Sequence, residues 1–275
     1  MKLTFLGTGS FFVTGDNYHT NILLEDEEGH SFLIDCGTDI KRSLDAAGKD
    51  PSKIEGVYIS HMHGDHAGGL EWLGFYSYFV TKKRPKLYTD TVLMDRVWNM
   101  LSPGMKCLDN KNAELSTYFE PCLCLNDRLS HYSTHEGPKF CFSWRGIGFN
   151  IVTTRHITTT RELKGTRVMA DRCSFGLDVT VGQKRVWITT DSCEANYAKV
   201  GYPIDPHYYI SDLIFHDCET FECSTVHSHY SKLKEFSSEI KKNMWLVHYQ
   251  EIDDMPDAKA DGFKGFVKRG QEFQL

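Results

Sequence analysis

Three histidines and one aspartate fall within six residues of this chain, in the segment His61-Met62-His63-Gly64-Asp65-His66. Imidazole nitrogen and carboxylate oxygen form a donor set that suits zinc, and iron or manganese accept the same donors. An extended segment points alternate side chains the same way, and Gly64 lets the chain turn back, so the four side chains can converge. The segment therefore predicts a metal site.

The elements that would position these ligands are short apolar runs typical of β-strands. The metal segment directly follows one such run, Gly56-Val57-Tyr58-Ile59-Ser60. Three more candidate ligands stand at the carboxyl ends of later runs of the same kind: His156, Asp191 and His248. Because sheet folds present functional side chains where strands end, we expect these three residues to complete one or two coordination spheres.

The pattern His-x-His-x-Asp-His at residues 61–66 resembles the signature of the metallo-β-lactamase fold. The order of the remaining elements agrees, and the resemblance covers essentially the whole chain. It implies an α/β fold, an αββα sandwich with the site along one edge. It also implies two bound Zn²⁺ ions, with Mn²⁺ or Fe²⁺ as open alternatives. By this resemblance one ion is held by His61, His63 and His156, the other by Asp65, His66 and His248, and Asp191 bridges them.

Composition agrees with an ordinary globular protein. The chain has 275 residues, 25% charged and 40% hydrophobic, which is enough for one domain with a substantial core. No apolar run approaches the roughly 18 to 20 residues of a membrane helix, and the N-terminus lacks a signal-peptide layout. Nine cysteines, an odd number without regular spacing, suit free thiols in a reducing compartment. We therefore expect a cytoplasmic protein without a membrane partner.

Hydrophobic patterning predicts strands and helices along the whole chain, arranged as one domain over residues 1–275. The expected strands lie near 2–6, 20–25, 31–35, 56–60, 140–144, 147–154, 173–181, 185–190, 210–215 and 243–248. The expected helices lie near 69–81, 90–101 and 229–241. Residues 102–139 have weak periodicity and several prolines and glycines, which indicates an inserted lid or arm.

The insert invites a second metal hypothesis, because it and its flank carry the possible ligands Cys107, Cys122, Cys124, His131, His135 and Cys141. Structural zinc sites usually space paired cysteines by two to four residues, and Cys122-Leu123-Cys124 is tighter than that. Buried or idle thiols are the favoured interpretation, with the metal site kept as the alternative.

Two zinc ions would favour hydrolysis, because zinc lowers the pKa of bound water to about 7. Downstream of Asp191 the chain is similar to the RNase Z branch of phosphodiesterases, in which an acidic segment and an additional histidine precede the last ligand. His227 is the best match, and it would protonate the leaving oxygen. The alternative is that His227 and His229 cap the helix near 229, while His216 is equally compatible with a core histidine.

Two features differ from RNase Z and argue against a long nucleic-acid partner. RNase Z enzymes carry a long basic arm for tRNA between the third histidine and the bridging aspartate, whereas only 34 residues, 157–190, separate His156 from Asp191. The formal net charge of −6 also disfavours binding that depends on neutralising many phosphates.

A small phosphodiester is therefore expected as the substrate, and the segments around Asp65-His66 and after His248 resemble the phage anti-Pycsar phosphodiesterases and their bacterial relatives. The resemblance implies hydrolysis of the cyclic mononucleotides cCMP, cUMP, cAMP or cGMP as a phage counter-defence, by a homodimer whose insert reaches the partner's site. The residues expected to act on the substrate are Asp65 and His227 in catalysis and Glu71 and His229 in substrate binding.

Other hydrolases of this fold stay open as alternatives. A hydrolase of another small phosphodiester or ester would share all seven metal ligands, and RNase Z-like RNA 3′ processing is a further option. A non-catalytic binding protein is disfavoured, since loss of catalysis usually removes a ligand and none is missing here.

Overall fold

The structure is a computed structural model that describes residues 1–108, 110–124, 141–156, 158–163, 166–172, 174–197, 205–221, 224 and 226–275, with only the backbone for 158–163, 166–172 and 197. The chain divides into two compact units. The N-terminal unit comprises Met1–Cys124 together with Lys268–Leu275, and the C-terminal unit comprises Leu125–Val267.

One mixed sheet organises the described N-terminal unit. Its strands are β1 (Lys2–Phe5), β2 (Ile22–Glu25), β3 (Ser31–Ile34), β4 (Ile54–Tyr58), β5 (Lys86–Asp90), β8 (Glu120–Cys124) and β18 (Glu272–Gln274). The order is β18-β1-β2-β3-β4-β5-β8, antiparallel from β18 to β3 and parallel from β3 to β8. A small hairpin pairs β6 (Cys107–Leu108) with β7 (Lys111–Asn112).

The helices of this unit are α1 (Ile40–Ala46), α2 (Gly64–Ala67), α3 (Leu70–Tyr76), α4 (Thr91–Met105) and α5 (Leu115–Tyr118). The longest, α4, begins where the Asp90 side chain accepts a hydrogen bond from the Val92 amide at 2.9 Å, an N-cap that satisfies a free backbone donor. Helices α3 and α4 pack apolar residues such as Leu73 and Val97 into the same hydrophobic core as strand β4.

A second mixed sheet organises the described C-terminal unit. Its strands are β9 (Phe142–Trp144), β10 (Ile147–Thr153), β13 (Phe175–Val181), β14 (Lys184–Ile188), β15 (Leu213–Asp217), β16 (Met244–Val247) and β17 (Gly265–Phe266). The order is β17-β16-β15-β14-β13-β10-β9, parallel from β17 to β14 and antiparallel from β14 to β9. A separate hairpin pairs β11 (Thr158–Leu163) with β12 (Thr166–Arg172).

Short helices complete the C-terminal unit: α6 (His207–Ile210), α7 (Tyr230–Leu233) and α8 (Ser238–Lys241). Leu233 and Ile240 from the last two helices are buried in one core cluster with Ile214, Met244 and Leu246 of the sheet. Burial of such side chains stabilises the unit by roughly 1.5 to 3 kcal/mol each.

The parallel parts of the two sheets explain why polar residues gather where strands end. In the C-terminal unit the registers Ile188↔Phe215 and Asp217↔Val247 place the carboxyl ends of β14, β15 and β16 at one sheet edge. In the N-terminal unit the register Ile34↔Tyr58 does the same for β3 and β4. The side chains that follow these strands are therefore brought close together within each unit.

The strands expected from the sequence are present with ends shifted by a few residues, while several elements differ from expectation. The expected helix over 69–81 is α3 followed by a π-helical turn, Ser77–Thr81. The expected helix over 229–241 is two short helices, because the backbone of Ser237 is extended where buried Phe236 turns into the core. The sequence did not predict the helices α1, α2, α5 and α6 or the strands β5 to β8, β11, β12, β17 and β18.

The start of the expected insert, residues 102–139, belongs to the regular structure of the N-terminal unit. Helix α4 continues to Met105, which is buried and whose carbonyl accepts a hydrogen bond from the Tyr118 hydroxyl at 2.7 Å. Strand β8 adds to the sheet beside β5. Residues 125–139 lie outside the described residues, so the lid itself stays a prediction, as does the expectation of a single domain.

Within the described residues, no helix combines the length and the apolar character needed to cross a lipid bilayer. The interval between His156 and Asp191, expected to be too short for a long arm, contains the hairpin β11–β12 and strands β13 and β14.

Candidate metal centre

The histidine-rich segment forms a compact half-site in the N-terminal unit. His61 follows β4 and is buried, whereas His63 is exposed. The Nε2 atom of His61 lies 3.1 Å from Nδ1 of His63, and Nε2 of His66 lies 3.3 Å from a carboxylate oxygen of Asp65. The rings of His61 and His66 are 4.1 Å apart between centroids. All four predicted ligands of this unit are therefore brought together, as the spacing indicated.

Strand β3 supplies the loop that holds this segment in place. The Cys36 amide donates to the carbonyl of His66 at 2.7 Å, and the Thr38 amide donates to the carbonyl of Gly64 at 3.0 Å. Gly37 is required between them, because a Cβ there would come within 2.2 Å of the Asp65 carbonyl oxygen. The close backbone contact fixes the position of the metal segment.

Asp35 is a functional residue to which the sequence analysis gave no role. Its buried carboxylate accepts hydrogen bonds from Nδ1 of His66 at 2.7 Å and from the amide and hydroxyl of Ser60 at 2.8 and 2.9 Å. Burial raises the pKa of Asp35, and the His66 ring opposes that effect. A carboxylate on Nδ1 places the imidazole proton there and directs Nε2 toward a metal, a common arrangement around ligating histidines.

The C-terminal unit forms a second half-site from residues far apart in the sequence. One carboxylate oxygen of Asp191 lies 3.4 Å from Nε2 of His156, and the other lies 3.4 Å from Nε2 of His248. All three residues are buried. The carboxylate thus lies between two imidazoles with one oxygen toward each, which is the disposition that a bridging ligand needs.

Local backbone geometry supports the second half-site. His248 and Thr190 have positive φ values of 61° and 50°, a conformation that costs of order 1 to 3 kcal/mol for residues with side chains. Both stand just beyond a strand end, where the chain turns sharply. Nδ1 of His156 donates to the carbonyl of Val226 at 2.6 Å, which directs Nε2 toward Asp191.

His227 lies beside the second half-site and is paired with a buried acid. Its Nδ1 is 2.9 Å from a carboxylate oxygen of Asp217 and 4.0 Å from Asp191. Its ring centroid is 4.9 Å from that of His156 and 5.2 Å from that of His248. Burial alone would lower the pKa of His227, but the carboxylates of Asp217 and Asp191 raise it to about 10. The two carboxylates therefore favour the protonated form of the imidazole.

Asp217 is the second residue that the sequence analysis left without a role. It is fully buried at the end of β15, and the oxygen facing His227 also accepts from the Ser192 amide at 2.8 Å. The only sequence signal was its place in an acidic segment at a strand end. The neighbouring His216 is a core histidine, as one interpretation expected. The Tyr208 hydroxyl lies 2.7 Å from Nε2 of His216, and Nδ1 of His216 donates to the Asp217 carbonyl at 2.6 Å.

The two residues expected to bind substrate occupy different surroundings. His229 is the N-cap of α7: its Nδ1 accepts from the Ser231 amide at 3.2 Å, and its Nε2 donates to the carbonyl of Phe221 at 3.0 Å. The capping alternative thus holds for His229, whereas His227 pairs with Asp217. Glu71 is exposed in the first turn of α3, with a carboxylate oxygen packed against Gly104. Substrate binding by Glu71 and His229 stays a prediction.

The insert cysteines form no metal site among the described residues. Cys107, Cys122, Cys124 and Cys141 form no disulfide, and none joins a described group of ligands with the spacing to hold an ion. His131 and His135 lie outside the described residues, so their part of that hypothesis is not addressed.

The donor atoms of both half-sites fit a zinc-class ion. Each unit offers buried imidazole Nε2 atoms next to carboxylate oxygens, and hydrogen bonds to Nδ1 of His66 and His156 orient the rings. Neutral imidazole with carboxylate is the donor set of zinc, and manganese or iron accept it too. Metal binding by these seven residues stays a prediction at this point.

Solved structures with the same fold span the whole chain. YhfI from Bacillus subtilis, a metallo-β-lactamase fold protein, superposes with a TM-score of 0.68 at 16% identity, covering 99% of this chain and 98% of that one. The short form of human tRNase Z superposes with a TM-score of 0.63 at 17% identity, covering 100% and 99%. At such identities the likeness establishes the fold alone, and it confirms the expected metallo-β-lactamase fold.

Sequence comparison is more specific. A protein from Bacillus phage 010DV004 named Anti-Pycsar protein Apyc1 is 28% identical over 284 residues, covering 100% of this chain and 98% of the phage protein. The family model described as Anti-Pycsar protein Apyc1 matches residues 1–273. Because that match leaves out only the last two residues, the chain belongs to the anti-Pycsar Apyc1 family.

Proposed function

We propose that this protein is a dinuclear metal-dependent phosphodiesterase that hydrolyses cyclic mononucleotides to linear nucleotides as a counter-defence enzyme. The observation that carries the proposal is the hydrogen-bonded His227–Asp217 pair beside the proposed ligands His156, Asp191 and His248. A proton donor placed next to metal ligands suits a reaction in which the departing alkoxide is strongly basic and therefore a poor leaving group. The anti-Pycsar names of the relatives support the same role.

The proposed centre joins the two half-sites. One ion would be held by His61, His63 and His156, the other by Asp65, His66 and His248, and Asp191 would be shared. Zinc is the proposed metal, with manganese or iron as substitutes that the same donors accept. Bound zinc would lower the pKa of water to about 7 and neutralise charge on the phosphoryl oxygens.

The residues of the chain would divide the remaining work. His227 would donate its proton to the departing ribose oxygen as the P–O bond breaks, and Asp217 would hold the ring in the orientation for that transfer. Asp35 would hold His66 with Nε2 toward the metal. Asp65 would act in catalysis as well as in metal binding.

Assembly is a separate part of the proposal. We propose a homodimer in which the segment after β8 reaches toward the partner's active site. Because residues 120–124 form a strand of the sheet, the informative variant replaces only 126–138 with a Gly-Ser linker. Light scattering should then show a weakened dimer, and KM for cyclic nucleotides should rise while metal content is retained. A variant that stays dimeric and fully active would contradict this part.

A substrate panel tests the function. The zinc-loaded protein would be incubated with cCMP, cUMP, cAMP, cGMP, a cyclic dinucleotide, bis(4-nitrophenyl) phosphate, a thioester and a tRNA precursor with a 3′ trailer. We expect linear nucleoside monophosphates from at least one cyclic mononucleotide, and loss of that activity in the variant Asp191→Ala. The matched control is His30→Ala, whose ring lies near acidic side chains on the N-terminal unit and outside the half-sites. Turnover of the thioester or the tRNA precursor alone would overturn the proposal.

A further inference from the structure

Two adjacent phenylalanines in the N-terminal unit are exposed to solvent. The side chain of Phe11 is 52% exposed and that of Phe12 is 81% exposed. Their rings meet edge to face, with centroids 5.1 Å apart and planes at 86°. Leaving two large apolar rings in water forgoes the free energy that burial would provide, so a pair of this kind marks a surface that binds something.

The loop that carries the pair, residues 7–20, is held by hydrogen bonds at several points. The amide of Thr8 donates to the side chain of Asn17 at 3.1 Å, and the amide of Gly9 donates to the carbonyl of Tyr18 at 2.9 Å. The amide of Thr20 donates a hydrogen bond to the carbonyl of Gly9 at 3.1 Å. The rings are therefore presented by a preorganised loop, which lowers the entropic cost of binding.

Phe11 is fixed between a histidine and the metal segment. Its ring is stacked on that of His19, within 8° of parallel and 6.3 Å between centroids. Nδ1 of His19 lies 3.4 Å from a carboxylate oxygen of Asp39, whose other oxygen accepts from the His19 amide at 2.8 Å. Phe11 also lies close to Gly64, where a Cβ would come within 3.3 Å of Phe11 Cε2.

Gly64 stands between His63 and Asp65, so Phe11 packs against the segment that carries four of the predicted metal ligands. A substrate whose phosphate is bound at that segment would extend its remaining part over the neighbouring surface. Phe12 presents an exposed aromatic ring next to Phe11, which lies close to Gly64 of this segment.

We propose that Phe12, supported by Phe11, is the platform on which the nucleobase of the substrate stacks. The inference rests on the proposed function, because it assumes a cyclic nucleotide at the metal segment. Every base has a π-face, so a platform without hydrogen-bonding groups accepts purines and pyrimidines alike. It would therefore provide affinity for several cyclic nucleotides without selecting one base.

The test compares substrates with and without a base. Wild type and the variants Phe12→Ala, Phe12→Leu and Phe12→Trp would be assayed with cAMP, cCMP and the 3′,5′-cyclic phosphate of methyl riboside, which lacks a base. The matched control is Phe79→Ala, since Phe79 is another solvent-exposed phenylalanine, at 50%, and lies on the π-helical turn.

We expect Phe12→Ala to raise KM for cAMP and cCMP roughly 5- to 150-fold, the range that corresponds to losing one base–aromatic stack. Phe12→Leu should lose most of the same affinity because it is apolar without a π-face, and Phe12→Trp should retain it. All variants should act on the base-free substrate like wild type, and Phe79→Ala should match wild type throughout.

Several outcomes would overturn the inference. Unchanged KM for cAMP and cCMP in Phe12→Ala, with wild type active, would refute the platform and leave the proposed function intact. An equal loss on the base-free substrate would show a structural role instead. Dissociation of an oligomer by Phe12→Ala, seen by light scattering, would assign the pair to an interface between copies. A wild type inert toward every cyclic nucleotide would refute the proposed function and this inference with it.

Discussion

Each unit of the molecule buries one carboxylate against one histidine, and the two pairs differ in a way that separates their roles. In the N-terminal unit Asp35 holds His66 at 2.7 Å, and the His66 side chain is 2% exposed. In the C-terminal unit Asp217 holds His227 at 2.9 Å, and the His227 side chain is 17% exposed. The same hydrogen bond thus orients a buried imidazole in one unit and supports an accessible one in the other.

The surroundings of the two imidazoles explain the difference further. Nε2 of His66 lies 3.3 Å from the carboxylate of Asp65, which is a predicted ligand, so its lone pair is in place to bind the proposed metal. His227 lies between the rings of His156 and His248 with two carboxylates near its Nδ1, so it favours the charged form. We therefore propose that exposure and nearby charge decide whether a carboxylate–histidine pair serves as a metal ligand or as a proton donor.

The largest expected effect comes from removing Asp191, the carboxylate that we propose is shared by both ions. Asp191→Ala should lower kcat/KM for cyclic nucleotides by about 10³-fold or more, since Lewis-acid stabilisation is worth several kcal/mol. Elemental analysis should show fewer than two ions per chain, against close to two in wild type. A variant with both ions and full activity would refute the shared-ligand role.

Removing the proton donor should have the next largest effect. His227→Ala should lower kcat on cyclic nucleotides by about 10²-fold or more, the usual loss for a general acid. Metal content, measured in the same preparation, should equal that of wild type. Loss of an ion would instead place His227 among the ligands. The structure allows this alternative, because Asp217, His227 and His248 offer ligand atoms within 4.8 Å of one another.

The two carboxylates allow the comparison to be tested with the same substitution. Asp35→Asn should weaken metal affinity by about 10- to 100-fold, as loss of a partner to a ligating histidine does, with kcat recovered at high metal concentration. Asp217→Asn should lower kcat by a similar factor at every metal concentration, with affinity for metal unchanged. Metal titrations followed by activity distinguish the two. If both variants respond alike to added metal, the division of roles is wrong.

His216, a buried histidine outside both half-sites, sharpens the comparison because neither of its described hydrogen-bond partners is a carboxylate. His216 is bonded to the Tyr208 hydroxyl and to a backbone carbonyl, and burial lowers its pKa from 6.5 to about 4. The folded protein favours the neutral form of His216. The free energy of unfolding is therefore not reduced by this group above pH 6.5, and it falls as the pH drops from 6.5 toward 4. Between pH 7.5 and 5.5 this linkage should cost roughly 1 to 1.5 kcal/mol.

Urea unfolding at the two pH values would measure this loss, with His216→Gln as the control. The difference in pH dependence between wild type and the variant isolates His216 from other titrating groups. Equal pH dependence in both proteins would show that His216 does not titrate as its burial implies.

The sequence predicted the N-terminal ligands better than their partners. Four ligands in six residues are visible without any knowledge of the fold, because local geometry brings them together. His156, Asp191 and His248 were recognisable because each follows an apolar strand. Asp35 was not assigned, because its pairing with His66 spans 31 residues and depends on how β3 lies beside β4.

The same reasoning explains the other misses. Asp217 looks like any aspartate at a strand end until the loop that carries His227 is placed beside it by the Asn196 side chain, which donates to the His227 carbonyl at 2.6 Å. The expected last helix is divided at Ser237, whose backbone is not helical, next to Phe236, which is buried by tertiary packing that the sequence pattern does not show. Strand β8 was taken for part of an insert because its pairing partner β5 was itself missed.

The leaving group provides the most direct test of the central claim, that His227 protonates the departing oxygen while His66 serves the metal. The measurement is the ratio of kcat for wild type to kcat for His227→Ala, on cAMP and on bis(4-nitrophenyl) phosphate, with metal content determined in parallel. The account predicts a ratio of about 10² or more on cAMP, and a much smaller one on the nitrophenyl ester, whose leaving group needs no proton. Equal ratios on the two substrates would contradict it.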